Sequence, residues 1–349
     1  MPWLSSGEVH KKYITYTDDK ISNEGLNHSS ARMIKQNSVL IALAGQGKTR
    51  GTVAINRISL STNQSIAAMT FAPDICPEFV FSNLESRYDE LRKVSSGDGT
   101  RGGLNKQLVS EIQIPYTSLN EQRKIGQFFT HLDRLITLHQ RKYDKLTKVK
   151  KAMLEKMFPK NGSLYPEIRF KGFTDAWEQR ELGELVEFYN GDRSSRYPND
   201  SDMVSDGVPF INAGDLVSGR VKLDTANKIT EEKFNELSGT KIQRGDIIYC
   251  LRGTLGKNAF VDNFDVGTVA SSLVDIRPKK VVGKYLFQVL NSDIEYTQRT
   301  VNDEGAAQPN LSAKNLSLFN IPMPDEIEQE KIAAYFDDLD RLITLHQRM

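Results

Sequence analysis

The chain is poor in cysteine and contains no long apolar run. Cys76 and Cys250 are its only cysteines, and they are far apart in the sequence. Neither a disulfide framework nor a zinc site is therefore predicted. They are expected to be buried small hydrophobic residues. No stretch of about 18 apolar residues occurs, and the amino terminus lacks the apolar run of a signal peptide. The sequence therefore predicts a cytoplasmic protein without a membrane partner.

Motifs that support catalysis are also missing. The chain has no HExxH pair, and without a Pro-Pro dipeptide it lacks the Asn/Asp-Pro-Pro-aromatic loop of adenine methyltransferases. Pro324 and Asp325 start a nuclease-like pattern, but Gln329 stands where an acid is required. The segment ALAGQGKT, Ala42 to Thr49, fits a loose phosphate-loop pattern, yet a strand is predicted after it instead of a helix. We predict a protein that is not an enzyme and holds no cofactor or metal.

What the sequence does contain is a long internal repeat. The segment LDRLITLHQR at residues 132–141 returns unchanged at residues 339–348, and the same offset of 207 residues pairs Pro2 with Pro209. This period is too long for a solenoid, and 349 residues fit about two domains of ordinary size. A pseudo-two-fold pair of domains is predicted.

Each copy predicts a mainly β domain followed by a long helix. Short β-branched and apolar runs lie between clusters of Gly, Asn, Asp and Ser, and one short helix is expected in each domain, near residues 78–93 and 284–299. The predicted fold class is α+β, with two mainly β domains joined by two long helices that form an antiparallel coiled coil. The expected boundaries are 1–118 and 177–325 for the domains, 119–158 and 326–349 for the helices, and 159–176 for the linker.

The coiled coil is predicted from apolar residues that recur at spacings of three and four. Asn120 is the expected cap of the first helix and Pro159 ends it, which gives a rod of roughly 55 Å. For either helix alone, packing on its own domain is the alternative. The predicted seam and subunit interface comprises Ile125, Phe128, Leu132, Leu135, His139, Leu146, Val149, Met153, Ile332, Tyr335, Leu339, Leu342 and His346.

A basic run follows the first seam. From Arg141 to Lys171 there are ten Lys or Arg against three acids, although the whole chain has a net charge of only +1. Such a run fits a solvated helix face or contact with a phosphate backbone.

Several segments resemble the specificity subunit of type I restriction-modification systems. They are FPKNGSLYPEIRFKGFTDAWEQRELGEL at Phe158–Leu185 and the two EQ-x-KI helix starts at Glu121 and Glu328. The similarity covers nearly the whole chain. It implies a non-catalytic subunit with two target recognition domains, each of which reads one half of a bipartite, asymmetric site in double-stranded DNA.

The resemblance also implies partners. Type I methylation subunits, expected to number two, would dock on the helices, and a restriction and translocase subunit would cut DNA. S-adenosylmethionine, ATP and magnesium are then expected only in those partner subunits.

Candidate DNA-binding residues lie in loops that differ between the copies on a common framework. Base-edge contacts specify sequence, whereas phosphate contacts fix register. Each residue taken singly could equally be a solvated surface residue. The candidates are Gln46, Lys48, Thr49, Arg50, Thr100, Arg101, Asn105 and Lys106 in copy one, and Arg193, Ser194, Ser195, Arg196, Arg252, Thr254, Lys257, Gln308, Asn310 and Lys314 in copy two.

Both ends are short compared with the family pattern. A full specificity subunit would begin with a segment like Trp177–Gly207 and would continue its second helix beyond Met349. The alternative function is therefore a truncated or silent specificity cassette that acts as an interaction-only subunit without reading DNA. A further alternative is assembly with a second chain. The weakest hypothesis is an enzyme that binds a nucleotide at ALAGQGKT.

Overall fold

The chain forms two compact units, residues 1–138 and 139–349. A computed structural model describes residues 1–45, 48–93, 104–160, 162–302 and 310–347. Among these residues, no helix is long and apolar enough to cross a membrane.

The first unit is mainly β, with short helices and the start of one long helix. Its strands are β1 (Pro2–Leu4), β2 (Tyr13–Ile14), β3 (Asp19–Lys20), β4 (Val39–Ala42), β5 (Val53–Asn56), β6 (Ser61–Thr62) and β7 (Ile66–Met69). Its helices are α1 (Asn23–Asn27), α2 (Pro77–Ser86), α3 (Tyr88–Lys93), α4 (Lys106–Ser110) and α5 (Leu119–Lys156), which continues into the second unit. A 3-10 helix spans Ser6–Lys11.

The second unit has the same kinds of element. Its strands are β8 (Glu178–Glu181), β9 (Val186–Asn190), β10 (Met203–Val204), β11 (Val208–Ile211), β12 (Leu216–Val217), β13 (Arg220–Val221), β14 (Asn227–Ile229), β15 (Ile247–Cys250), β16 (Asn258–Phe260), β17 (Thr268–Val269), β18 (Leu273–Pro278) and β19 (Asn320–Met323). Its helices are α6 (Leu182–Leu185), α7 (Glu231–Glu236), α8 (Gly283–Val289), α9 (Asp293–Val301), α10 (Ala313–Ser317) and α11 (Glu326–Gln347). Two 3-10 helices span Asp200–Asp202 and Ala213–Asp215.

Strand pairing repeats between the units. The sheets of the first unit have the orders β3-β1-β6 and β2-β5-β4-β7, and those of the second have the orders β10-β14-β11-β17, β16-β15-β18-β9, β12-β13 and β19-β8. Trp3 lies opposite Ser61 in a parallel pair, and Phe210 lies opposite Thr268 in another. Both residues of the pair are shifted by 207 (3 to 210 and 61 to 268), so the sequence repeat is also a repeat of strand register.

One sheet edge differs between the units. Within the described residues, β7 is the last strand of its sheet, whereas its counterpart β18 is paired with β9 along five residues. Strand β9 lies within the Trp177–Gly207 segment.

The central strands bury both faces, as their uninterrupted apolar runs predict. In β4, Val39 and Ile41 pack in the cluster that contains α2, while Leu40 and Ala42 pack in a second cluster with Leu4 and Ile14. Strand β15 alternates in the same way between two clusters. Cys76 and Cys250 are free and buried, which confirms their predicted role.

The structure corrects two helix predictions. A single helix was expected near residues 78–93, but α2 ends before Arg87, whose guanidinium instead binds Glu90 and the carbonyl of Gln113. Asn120 was expected to cap the first long helix, but α5 already begins at Leu119, and Ser118 Oγ accepts from the Glu121 amide at 3.3 Å.

Candidate functional site

Two of the predicted recognition segments of the first unit lie side by side. The Leu104 amide donates to the Leu43 carbonyl at 3.0 Å, which joins the turn after β4 to the segment before α4. Lys48 and Lys106 are exposed there, and Thr49 and Arg50 are half-buried. The candidates Gln46, Thr100 and Arg101 lie outside the described residues.

The second unit repeats this arrangement. The Leu311 amide donates to the Leu251 carbonyl at 2.9 Å, so the turn after β15 lies beside the segment before α10. Arg252 Nε donates to Asn310 Oδ1 at 3.2 Å across the two segments. Thr254 and Lys314 are exposed, and Gln308 lies outside the described residues.

A third predicted loop, Arg193–Arg196, lies next to these two segments of the second unit. Arg193 Nη2 donates to the Ser271 carbonyl at 3.2 Å, and the Leu251 amide donates to the adjacent Ser272 carbonyl at 2.9 Å. The serine pair, which the sequence did not single out, therefore brings the three predicted loops together. Ser195 and Arg196 are exposed at this place.

Asp192 anchors the third loop. It is 3% exposed, and its two oxygens accept from the amides of Ser194 at 2.6 Å and Ser238 at 2.7 Å. Burial alone would raise the pKa of Asp192, but these hydrogen bonds lower it well below its usual range. The carboxylate therefore stays ionised and fixes the turn that carries Arg193 and Arg196.

Some predicted DNA-binding residues make local hydrogen bonds. Asn105 Oδ1 caps α4 by accepting from the Leu108 amide at 2.9 Å, and Ser194 Oγ accepts from the Arg196 amide at 3.1 Å. Lys257 Nζ donates to the Ala213 carbonyl at 2.8 Å. These three contacts help to shape the loops, and the predicted DNA contacts of the same residues stay a prediction.

A buried glutamine links each domain to its long helix. Gln122 is 1% exposed; its Oε1 accepts from the Cys76 amide at 2.9 Å and its Nε2 donates to the Thr117 carbonyl at 2.8 Å. Gln329, 207 residues later, accepts from the Val282 amide at 3.0 Å and donates to the Pro324 carbonyl at 2.9 Å. The glutamine of each EQ-x-KI start therefore holds the first turn of a domain helix.

The glutamate of the second EQ-x-KI start closes a clamp on the linker. Glu328 is fully buried and pairs with Arg169 through two hydrogen bonds, Nε to Oε1 at 2.7 Å and Nη2 to Oε2 at 2.8 Å. Trp177 Nε1 also donates to Glu328 Oε2 at 3.2 Å. Arg169 of the PEIRF motif and Trp177, both in the segment Phe158–Leu185, thus bind the same carboxylate.

Aromatic side chains fill the space beside this clamp. Phe158 has its ring centroid 6.3 Å from that of Trp177, 5.9 Å from that of Tyr285 and 6.1 Å from that of Phe336. All four side chains are at most 2% exposed. Helix α5 ends at Lys156, shortly before Pro159. The next two residues, Met157 and Phe158, are buried in the core of the second unit.

Within the second unit, the end of α5 packs antiparallel on α11. His139 Nδ1 lies 2.8 Å from His346 Nδ1, and Lys150 Nζ lies 2.6 Å from Asp340 Oδ1. Residue numbers thus rise along α5 as they fall along α11. The predicted seam residues Leu146, Val149 and Met153 pack on the cluster that contains Ile332 and Leu339.

The seam prediction needs correction at Ile125. This residue packs against the core of the first domain, which was the alternative for a single helix. Tyr335 packs on the same cluster as Leu146, Val149 and Met153, and its ring also contacts Phe170 of the linker at a centroid distance of 6.1 Å. Leu342 is half-buried. In the first unit, Phe128, Leu132 and Leu135 are 59%, 39% and 51% exposed, and their interface role stays a prediction.

The ALAGQGKT segment does not continue as a nucleotide site would. Its described part leads into strand β5 instead of a helix, which agrees with the sequence argument against a phosphate loop. No group of three or more His, Cys, Asp or Glu side chains suited to a metal ion occurs among the described residues.

A comparison with family models gives the identity of the two units. The model described as the type I restriction modification DNA specificity domain matches residues 1–148 and 174–349. The chain belongs to this family. The predicted α+β fold with two recognition domains and long helices is confirmed, and the domains of this specificity protein are the two copies of the repeat.

Curated specificity subunits are distant relatives. The MjaVIII specificity subunit of Methanocaldococcus jannaschii is 23% identical over 361 residues, which cover 99% of this chain and 81% of the relative. The MjaIX specificity subunit of the same organism is 22% identical, over 75% of this chain and 62% of its own length. The EcoR124I/EcoR124II specificity subunit of Escherichia coli is 23% identical over 39% of this chain and 34% of its own length.

Solved structures share the fold. The S subunit of a type I restriction-modification system from M. genitalium matches with a TM-score of 0.66 at 15% identity, over 99% of this chain and 83% of that one. A chain from a study of complex assembly and conformational transition of the type I system matches with a TM-score of 0.51 at 16% identity, over 99% and 85%.

Proposed function

We propose that this chain is the DNA-reading subunit of a type I restriction-modification complex. It recognises a bipartite, asymmetric site in double-stranded DNA and directs methylation and restriction subunits to that site. The observation that carries the proposal is the convergence of the copy-specific loops on one framework in each unit. Exposed cations and amides on such loops suit phosphate and base-edge contacts.

Asymmetry of the site follows from the loops. The first domain offers Lys48 and Lys106, whereas the second offers an Arg252–Asn310 pair and the additional Arg196. Arginine suits the two acceptors of guanine, whereas a single lysine suits phosphate or one acceptor. Two different sets of side chains on one backbone plan are expected to prefer different half-sites.

Catalysis and cofactors are assigned to the partners. Methylation subunits, two in number, would dock on the α5 and α11 helices and use S-adenosylmethionine, and a restriction and translocase subunit would use ATP and magnesium. The chain itself acts by binding. The family supports this assignment, because the curated relatives are specificity subunits.

The test is co-expression with a type I methylation subunit in a host that lacks its own adenine methylation, followed by genome-wide mapping of methylated adenine. A split, asymmetric motif is expected. Arg252→Ala should relax one half-site and Lys48→Ala should weaken the other, so each variant is the control for its partner. A continuous or palindromic motif would contradict the proposal.

The interaction-only alternative has one observation in its favour. Phe128, Leu132 and Leu135 on α5 are exposed in the first unit, which leaves apolar surface available to a partner. A stable complex with the methylation subunit but no methylation motif would establish this alternative.

A further inference from the structure

A buried ion pair lies beneath the turn after β15. Arg299 Nε and Glu295 Oε1, one helical turn apart in α9, are separated by 2.7 Å, and Glu295 is 5% exposed. The hydroxyl of Tyr249, at 0% exposure in β15, donates to the same carboxylate oxygen. The pair is therefore fixed both to its helix and to the central strand.

The turn lies directly on this pair. Gly256 has a φ of +79°, and a Cβ added to it would lie 2.5 Å from Arg299 Nε and 2.9 Å from Glu295 Oε1. The turn is closed by two backbone bonds, from the Gly256 amide to Cys250 and from the Lys257 amide to Thr254. The side chains of Arg299 and Glu295 therefore pack directly against the turn that carries Arg252 and Thr254.

The first unit places a different contact at the same two positions. Tyr88 and Arg92 in α3 stand 207 residues before Glu295 and Arg299. Tyr88 donates its hydroxyl proton to the Lys48 carbonyl at 2.8 Å, and Arg50 Nη2 donates to the Arg92 carbonyl at 2.9 Å. The same two helix positions therefore contact the corresponding turn in both units. The contacts differ, because the second unit uses an ion pair and the first uses hydrogen bonds that involve backbone carbonyls.

We propose that these helix residues are positioning residues for DNA specificity. Glu295 and Arg299 set the conformation of the 252–257 turn, and Tyr88 sets that of the 48–50 turn, without touching DNA themselves. The inference rests on the proposed function. Its physical basis is that directional contacts to base edges require the contacting groups to be held within about 0.5 Å of the productive geometry.

Methylation mapping of the full chain with its methylation subunit tests the inference, with Glu295→Gln and Tyr88→Phe as the variants. Glu295→Gln should lower discrimination at the half-site of the second domain by about fivefold or more, within the range that one base contact provides. The other half-site should remain sharp. Tyr88→Phe should show the reverse pattern, so each variant contains its own internal control.

Two further variants separate positioning from folding. Glu184→Gln changes an exposed Glu of the same unit whose i,i+4 partner is Arg180, and both half-sites should be unaffected. Arg299→Lys keeps the positive charge, so it should lose less half-site discrimination than Glu295→Gln. Hydrogen exchange should be faster at the Gly256 and Lys257 amides in Glu295→Gln, while the amides of β15 remain protected.

The outcomes are distinct. A split motif in the wild type that stays equally sharp in Glu295→Gln, or that weakens evenly in both halves, overturns the positioning role alone. No motif in the wild type overturns the proposed function and, with it, this inference.

Discussion

The two EQ-x-KI helix starts share a sequence but differ in their surroundings. Gln122 and Gln329 make the same pair of hydrogen bonds in the two units. Glu121 is exposed, with the Thr117 hydroxyl as its side-chain neighbour, whereas Glu328 is buried against Arg169 and Trp177. The glutamine therefore makes a contact that both copies share, whereas the buried glutamate of the second copy binds the linker.

This difference separates two uses of one motif. A buried amide can satisfy a backbone donor and a backbone acceptor wherever a domain helix begins beside it. A buried carboxylate needs a cation as well as hydrogen-bond donors, because burial without a partner is strongly unfavourable. Arg169 provides the cation, and Arg169 and Trp177 both donate hydrogen bonds to the carboxylate. This shared contact explains why the arginine and the tryptophan occur in the same segment.

The largest expected effect comes from removing the clamp. Glu328→Ala should lower the free energy of unfolding of the second unit by about 3 kcal/mol, because it leaves a largely buried guanidinium without its partner. Glu121→Ala should change the stability of the first unit by less than about 0.5 kcal/mol. Urea unfolding with hydrogen exchange resolved by unit measures both, and equal losses would remove the distinction.

Truncation of the shared glutamines should affect both units alike. Gln122→Ala and Gln329→Ala each leave one buried amide, of Cys76 and of Val282, without an acceptor, at a cost of about 1–3 kcal/mol. Hydrogen exchange at those two amides should accelerate to a similar extent. Acceleration in one unit alone would show that the glutamines are not equivalent.

A third pair of variants tests a close approach found in the first unit. A Cβ added to Gly126 would lie 2.8 Å from Glu78 Cβ and 2.9 Å from the Phe79 nitrogen, whereas the equivalent residue of the second unit is Ala333. Gly126→Ala should destabilise the first unit by about 1–2 kcal/mol through forced movement of α2. Ala333→Gly should cost about 2 kcal/mol, from the lower helix propensity of glycine and the loss of a buried methyl group, and thermal unfolding of each variant provides the measurement.

The smallest expected effect is a pH dependence confined to the second unit. Burial, with Lys142 and His139 nearby, lowers the pKa of His346. The folded unit then binds fewer protons than the unfolded chain, so its stability is complete above the unfolded-state pKa of about 6.5. It declines as the pH falls below that value.

Replacement of both imidazoles isolates this effect. His139→Leu combined with His346→Leu should flatten the loss of stability between pH 7 and pH 5, while His28→Leu, at an exposed position of the first unit, should leave it unchanged. Unfolding transitions measured across this pH range provide the comparison. An unaltered slope in the double variant would assign the acid sensitivity to other groups.

Much of the framework could be predicted from the repeat and from local patterns. The run around Val39 predicts β4, the run around Ile247 predicts β15, and the spacing of Leu146, Val149 and Met153 predicts the face that packs on α11. These signals are local, because alternation and helical period depend on neighbouring residues. The two strand runs are also copies of each other across 207 residues, which strengthens both strand predictions.

The contacts that position the site are long-range and left a weaker signal. Gln122 binds an amide 46 residues away, and Glu328 binds an arginine 159 residues away, so no periodicity marks either of them. The loop residues Ser194 and Lys257 were predicted to bind DNA because they lie in loops that differ between the copies. Their local hydrogen bonds depend on turn geometry, which side-chain chemistry does not specify.

The histidine pair of the second unit joins two copies of one sequence position. His139 and His346 are separated by 207 residues, and their Nδ1 atoms lie 2.8 Å apart, so this repeat position contacts its own counterpart. Lysine or glutamate would face an equal charge there, whereas neutral imidazole can donate through one tautomer and accept through the other. Self-complementarity therefore restricts this position to side chains that can be both donor and acceptor, or that are apolar.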